Sequence, residues 1–312
     1  MQRLTLAYRD DDRTPVIFAI REIANRHYDL DVRVVRIKDG DEYEAALFNG
    51  SADVIIEHLE YLYEEAAEGK KVTFFCAPSK GGGLDLVVPQ HFKSVAELKG
   101  KTMAVRSHGQ PHAVTLWLRM MGLEKDVATV IIHDQDVGRW GQWKKVASGQ
   151  CVATFMSPLY LPDALNAGLK VLAAPEIPIV GQFAQACLAE FTQKNSATMG
   201  AYVKSVLHAL AWLTLRPDEA FAALAAELKT AMELSDQAEL RRRFYSVVGG
   251  LKIRPYPTPQ AIANTYEIAT IEFPQAAGLN PLSLWDLHWV KELDDAGFID
   301  DVIKKSSERS ES

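Results

Sequence analysis

Apolar and polar positions change period repeatedly along the first third of the chain, from two residues to about three and a half. Residues 4–8 (Leu-Thr-Leu-Ala-Tyr) read as a strand. Residues 15–26 read as a helix, with Pro15 suited to a first turn and Ile17, Ile20 and Ile23 on one face. Residues 31–37 alternate as a second strand, 41–49 form a short helix closed by Gly50, and 52–56 form a buried strand. A helix at 59–67 stopping at Gly69 and a strand at 72–77 broken by Pro78 complete the block. Strands alternating with helices over short connections predict an α/β sheet covered on both faces.

The run Ser79-Lys-Gly-Gly-Gly83 separates this block from a strand at 84–88, which Pro89 ends because proline supplies no ladder donor. Ser94 and Glu97 have capping-box spacing and open a second α/β block. It holds strands near 102–105, 129–132 and 152–155, helices near 112–121 and 140–148, and a short strand at 169–172. Residues 183–188 are apolar again and read as a strand returning to the first sheet. Beyond Phe191 the period is helical, with helices at 201–215, 217–229, 236–245, from 260 toward 271, and at 284–293. The Ser-, Glu- and Lys-rich tail after Lys304 reads as frayed. No short internal repeat is present.

Composition adds limits. At 312 residues, 48% apolar and 24% charged, the chain is long enough for two cores. A net charge of -7 argues against a nucleic-acid partner, though not against a local basic site for a small anion. Cys76, Cys151 and Cys187 are odd in number and lie in apolar segments, so they read as buried thiols. No basic start and apolar run precede the first strand, and no apolar run is long enough to insert in a membrane. That pattern predicts a cytoplasmic protein unless a signal peptide was removed.

In open α/β sheets ligands gather beyond the carboxyl ends of the strands. The residues there are Tyr8 to Asp10, Glu57 and His58, Pro78 to Lys80, Ser107 to Gln110, Asp134 to Trp140, and Phe155 to Pro158, Ser157 among them. Ser107-His-Gly-Gln110 precedes a helix start, where backbone donors suit an anion and Gly109 permits close approach; simple capping by Ser107 is the alternative. Asp136 could cap the helix carrying Trp140 and Trp143, and Trp140 could stack on a planar ligand. His108 and His112, with His58 or Glu57, lack a zinc-type spacing, so no metal or other cofactor is expected. Ser79 to Gly83 lacks the Gly-Lys-Ser/Thr ending of a phosphate loop and reads as a hinge, with Lys80 available as a point charge.

Residues 98–105 (Leu-Lys-Gly-Lys-Thr-Met-Ala-Val), Gly109, and Leu118 through Gly122-Leu123 carry a likeness, continued by Val146 to Ala153, Pro158, Gly168 to Leu172, and Ala46 to Val54. Together they resemble the sulfonate, nitrate and pyrimidine-precursor group of type II periplasmic binding proteins. The resemblance implies an α/β fold of two lobes, with residues 1–86 and 186–312 in the first and 87–185 in the second. It implies crossover strands near 84–88 and 183–188, a helical C-terminal extension and a ligand between the lobes. A small anionic or aromatic molecule is the implied partner, held by Tyr8, Arg9, Glu57, Lys80, Ser107, Gly109, Gln110, Asp136, Trp140 and Ser157; a homo-oligomer is compatible with it. The group also contains intracellular cofactor-independent decarboxylases of hydroxylated aromatic acids, which Arg3-Leu-Thr-Leu-Ala7 resembles. On that alternative His58 or His108 is the catalytic acid, since imidazole exchanges protons near neutral pH.

Overall fold

The computed structural model describes residues 2–57, 60–81, 83–107 and 110–308. Ten strands are present: β1 (Gln2–Tyr8), β2 (Leu30–Arg36), β3 (Val54–Glu57), β4 (Val72–Cys76), β5 (Asp85–Pro89), β6 (Thr102–Arg106), β7 (Ala128–Ile132), β8 (Ala153–Met156), β9 (Leu169–Leu172) and β10 (Ala184–Leu188). They form two five-stranded sheets, ordered β2-β1-β3-β10-β4 and β7-β6-β8-β5-β9. The chain divides into one unit of Met1–Gly81, Val180–Tyr266 and Gln275–Ser312, and another of Gly82–Ile179 and Glu267–Pro274.

In the first unit β1 runs parallel to β2 and β3, while β10 lies antiparallel between β3 and β4. Leu4 and Leu6 of β1 share a core with Val16, Ile17 and Ile20 of the helix Thr14–His27. The helix Ser196–Leu215 is apolar around most of its circumference, and Met199, Val203, Leu207 and Leu210 are all buried in that core.

The second unit repeats the plan. Parallel β6 joins β7 and β8, and β5 runs antiparallel between β8 and β9. Both faces of this sheet are covered, so its strands split their apolar residues by parity. Leu86, Val88, Met103, Val105 and Phe155 enter one core with Trp117. Val87, Ala104 and Met156 enter the other with Val146 and Ala164. The expected crossover strands are therefore present: β5 and β10 are each the antiparallel member of their sheet.

Three local expectations change. Helix 140–148 shortens to Trp143–Ala147, and Asp136 lies inside a separate turn of helix, Asp134–Val137. Gly138 at φ +86° ends that turn, and Trp140 itself sits at φ +59°. The helix expected at 284–293 runs instead over His288–Asp295, and Gly297, whose φ of +78° suits a helix end, follows it. Phe298–Glu308 is then a helix of its own rather than a tail that frays after Lys304, because Ile299 and Val302 bury one face. Among the described residues Ser107 caps no helix: the helix Pro111–Met120 follows Gln110, and Ser107 N–H instead donates to Ile132 O at 3.0 Å, prolonging the β6–β7 ladder.

Candidate functional site

In the first unit the parallel strands deliver Tyr8, Arg9 and Glu57 to the carboxyl edge of the sheet. Tyr8 is 3% exposed and belongs to the core. Glu57 is also buried and is ion-paired with Arg13, which is 2% exposed. Asp10 N–H donates to the same carboxylate at 3.3 Å. Tyr43 and Tyr61 stand with ring centroids 6.5 Å apart near this pair, and their hydroxyls have no hydrogen-bond partner among the described residues. Burial first, then Tyr61 and Glu57, push the Tyr43 phenol well above its ordinary pKa, so it stays a neutral donor. The Arg9 guanidinium packs over Gly40, where a Cβ would lie 3.3 Å from it. Lys80 Nζ donates to Gly249 O and its N–H to Gly250 O, both at 2.9 Å, which ties its loop to the end of the helix Gln237–Gly249.

In the second unit the edge carries Arg106, Ser107, Gln110, Asp134 and Trp140. Arg106 Nε donates to Asp134 Oδ1 at 3.0 Å, and the guanidinium carbon lies 4.8 Å from the centre of the Trp140 ring. Trp140 also stacks on Tyr160, with centroids 5.8 Å apart and planes inclined by 15°. A bulky side chain at positive φ is uncommon, and these two ring contacts offset that strain. Asp136 is exposed. Ser157 accepts from Leu159 N–H at 3.4 Å and caps the turn Pro158–Tyr160. Ser107 Oγ is buried without a partner among the described residues. His58, His108 and Gly109 lie outside the described residues. Among the described residues no three His, Cys, Asp or Glu side chains gather to hold a metal ion, and no helix is long and apolar enough to cross a membrane.

Gln110 borders a cavity of about 200 Å³ whose lining belongs wholly to the second unit. The walls include Leu86, Trp117, Phe155, Leu172 and Ile177. Trp117 and Phe155 meet edge to face at 5.0 Å, and Trp117 Nε1 donates to Pro175 O at 2.9 Å. Gln110 is 3% exposed; its Oε1 accepts from Arg106 N–H at 3.3 Å, while Nε2 has no partner among the described residues. Asp85, the first residue of β5, and Glu176 also border the space. Burial and, second, Glu176 raise the Asp85 carboxyl above its ordinary pKa.

Of the residues expected from sequence, the structure places Gln110 on this cavity with Ser107 close by in sequence, and puts Glu57 into a buried ion pair. Sequence reasoning missed Arg13, Asp85, Trp117 and Glu176. Asp85 alone left a sign, as the single charge inside the otherwise apolar run of residues 84–88.

No family model matches the sequence, and no curated protein is similar to it. Solved structures do match. A putative periplasmic sulfonate-binding protein SsuA from Methylobacillus flagellatus is 19% identical with a TM-score of 0.69, over 95% of this chain and 95% of that one. The periplasmic aliphatic sulphonate binding protein SsuA from Escherichia coli is 18% identical with a TM-score of 0.65, over 88% and 87%. A conserved Candida albicans gene product, described as exhibiting the generic periplasmic binding protein fold, is 16% identical with a TM-score of 0.57, over 94% and 95%. At such identities the likeness establishes the fold, two α/β lobes of the periplasmic binding protein kind, and leaves the ligand to the residues of this chain.

Proposed function

We propose that this chain is a binding protein for a small organic molecule with an apolar or aromatic body, held in the second unit. The observation that carries the reading is the cavity of about 200 Å³ beside Gln110, whose buried amide keeps an unsatisfied donor among the described residues. An apolar cavity of about 150 Å³ takes up benzene, so this volume suits a ligand somewhat larger than one ring. Apolar walls with a few placed polar groups are the usual make-up of a ligand site. The structural neighbours named as sulfonate-binding proteins support small-molecule binding as the use of this fold.

The decarboxylase alternative rests on His58 and His108, which lie outside the described residues, and no observation favours it. Native mass spectrometry of freshly purified protein, with a thermal-shift panel of sulfonates, carboxylates, pyrimidines and amines, tests the binding reading. The expected result is a retained small molecule or a raised Tm with one class. A ligand-free mass and an unmoved Tm across the panel would remove it.

A further inference from the structure

The charges around the cavity specify the sign of its ligand. Among the described residues none of the lining side chains is basic, and both ionisable ones, Asp85 and Glu176, are acidic. Neither carboxylate has an ion-pair partner among the described residues, although ion pairs are plentiful elsewhere, from Arg3–Asp31 to Arg254–Asp294. Asp85 is held at a strand start, where β5 pairs it with Met156, so it cannot swing far from the space it borders. The Gln110 amide is oriented by Arg106 N–H, which takes its oxygen; Nε2 is therefore the end left to donate. The aromatic wall of Trp117 and Phe155 presents π-systems, and an ammonium group near such faces is attracted by the ring quadrupole.

We propose that the cavity binds an organic cation: a primary or secondary ammonium compound with an aryl or compact alkyl body and one acceptor oxygen. The ammonium meets Asp85 and Glu176, the body packs on Trp117 and Phe155, and the oxygen accepts from Gln110 Nε2. An anion placed in the same space meets two carboxylates and, among the described residues, no lining cation. This assignment rests on the small-molecule reading and deepens it by fixing the ligand's charge.

The test uses three probes sharing one body: 4-methoxyphenethylamine and the corresponding 4-methoxyphenyl carboxylate and sulfonate. Each is titrated calorimetrically into the whole chain at pH 7.5. The amine is expected to bind at least tenfold more tightly than either anion. The Asp85→Asn/Glu176→Gln protein, checked for folding by circular dichroism, is expected to lose that preference and at least tenfold of the amine affinity. Tighter binding of the carboxylate or sulfonate overturns the cation assignment and leaves the binding function standing. Undiminished amine binding in the double variant overturns the site. No binding by any probe, with no ligand in native mass spectra and no thermal shift across the wider panel, overturns both.

Discussion

The two sheets share a topology and use it differently at the equivalent place. In each, an antiparallel strand begins opposite the last residue of a parallel one: Ala184 opposite Glu57 in the first unit, Asp85 opposite Met156 in the second. The first unit puts its acid on the parallel strand and buries it against Arg13, and Ala184 beside it is 2% exposed. The second puts its acid on the antiparallel strand, half-buried, beside a cavity and another acid. Even the next residues diverge. Gln185 is fully buried and accepts from Tyr202 Oη at 2.8 Å, whereas Leu86 lines the cavity. A carboxylate matched by a guanidinium inside the fold is structural; one without a partner among the described residues, at the rim of an empty volume, is available to a ligand.

The largest expected effect breaks the matched side. Glu57→Ala leaves the buried Arg13 guanidinium only the exposed Asp10 carboxylate, 4.0 Å away, and removing one partner of a buried pair typically destabilises by about 3–5 kcal/mol. Urea denaturation should show a lower midpoint with little change in slope. Replacing both residues by apolar side chains, Arg13→Met with Glu57→Leu, should restore most of the loss, because the pair's desolvation penalty disappears along with its attraction. If Glu57→Ala lowers the unfolding free energy by less than about 1 kcal/mol, the pair is not the structural device described.

The contrast between these two acids also marks what was legible in the sequence. The strands of both sheets were, because residues 84–88 are a short apolar run between Gly83 and Pro89 and residues 183–188 are mostly apolar, signals that are local in the chain; the crossover role of these two strands came with the family resemblance. Gln110 was singled out because it follows a strand and precedes Pro111 at a helix start, and the structure places it beside the cavity. The Arg13–Glu57 pair was not: its members are 44 residues apart, and nothing near either one announces the other. Trp117 fell within the helix expected near 112–121 and Asp85 within the strand expected at 84–88, and neither was singled out. A cavity is made by side chains from several segments, so its presence depends on packing that no single window of sequence contains. The helix Phe298–Glu308 was missed for a different reason, as its polar composition hid the spacing of Ile299 and Val302.

The next effect in size tests the paired acid of the second unit. Arg106→Ala removes the hydrogen bonds to Asp134 and the cation beside Trp140, two contacts that together hold a residue at positive φ. Hydrogen bonds to charged groups are worth about 1.5–3 kcal/mol, and a loss of about 2 kcal/mol is expected for this mostly buried arginine. The near-ultraviolet circular dichroism of Trp140 should weaken in parallel. An unchanged spectrum would separate Arg106 from the Trp140 loop. A smaller effect is expected from Gln110→Leu, which deletes the unpartnered donor of a residue that borders the cavity. One hydrogen bond is worth about 1 kcal/mol net, or roughly fivefold in affinity for a ligand bearing an acceptor oxygen. Equal affinity in Gln110→Leu would take the amide out of the site.

The smallest effect, and the one that separates the two acids most directly, is the pH dependence contributed by Asp85. Its carboxyl titrates above the ordinary value because burial, and then Glu176, disfavour the charged form. A carboxyl raised in the folded state makes that state bind more protons than the unfolded chain. Its contribution to stability is therefore greatest below the unfolded pKa and falls as pH rises through the folded one, leaving a net penalty at neutral pH. Asp85→Asn should raise Tm slightly at pH 7 and leave it nearly unchanged below about pH 3.5, where both states are protonated. Glu57 gives no such rise, since its replacement is expected to lower stability at pH 7. A bound ammonium should reverse the sign for Asp85 by favouring the carboxylate, so amine affinity should increase as pH rises through the Asp85 transition. Thermal melts of both proteins between pH 3.5 and 7, with and without 4-methoxyphenethylamine, measure this. If Asp85→Asn lowers Tm at pH 7 without ligand, Asp85 has a stabilising partner in the fold, and the distinction drawn between the two sheet ends fails.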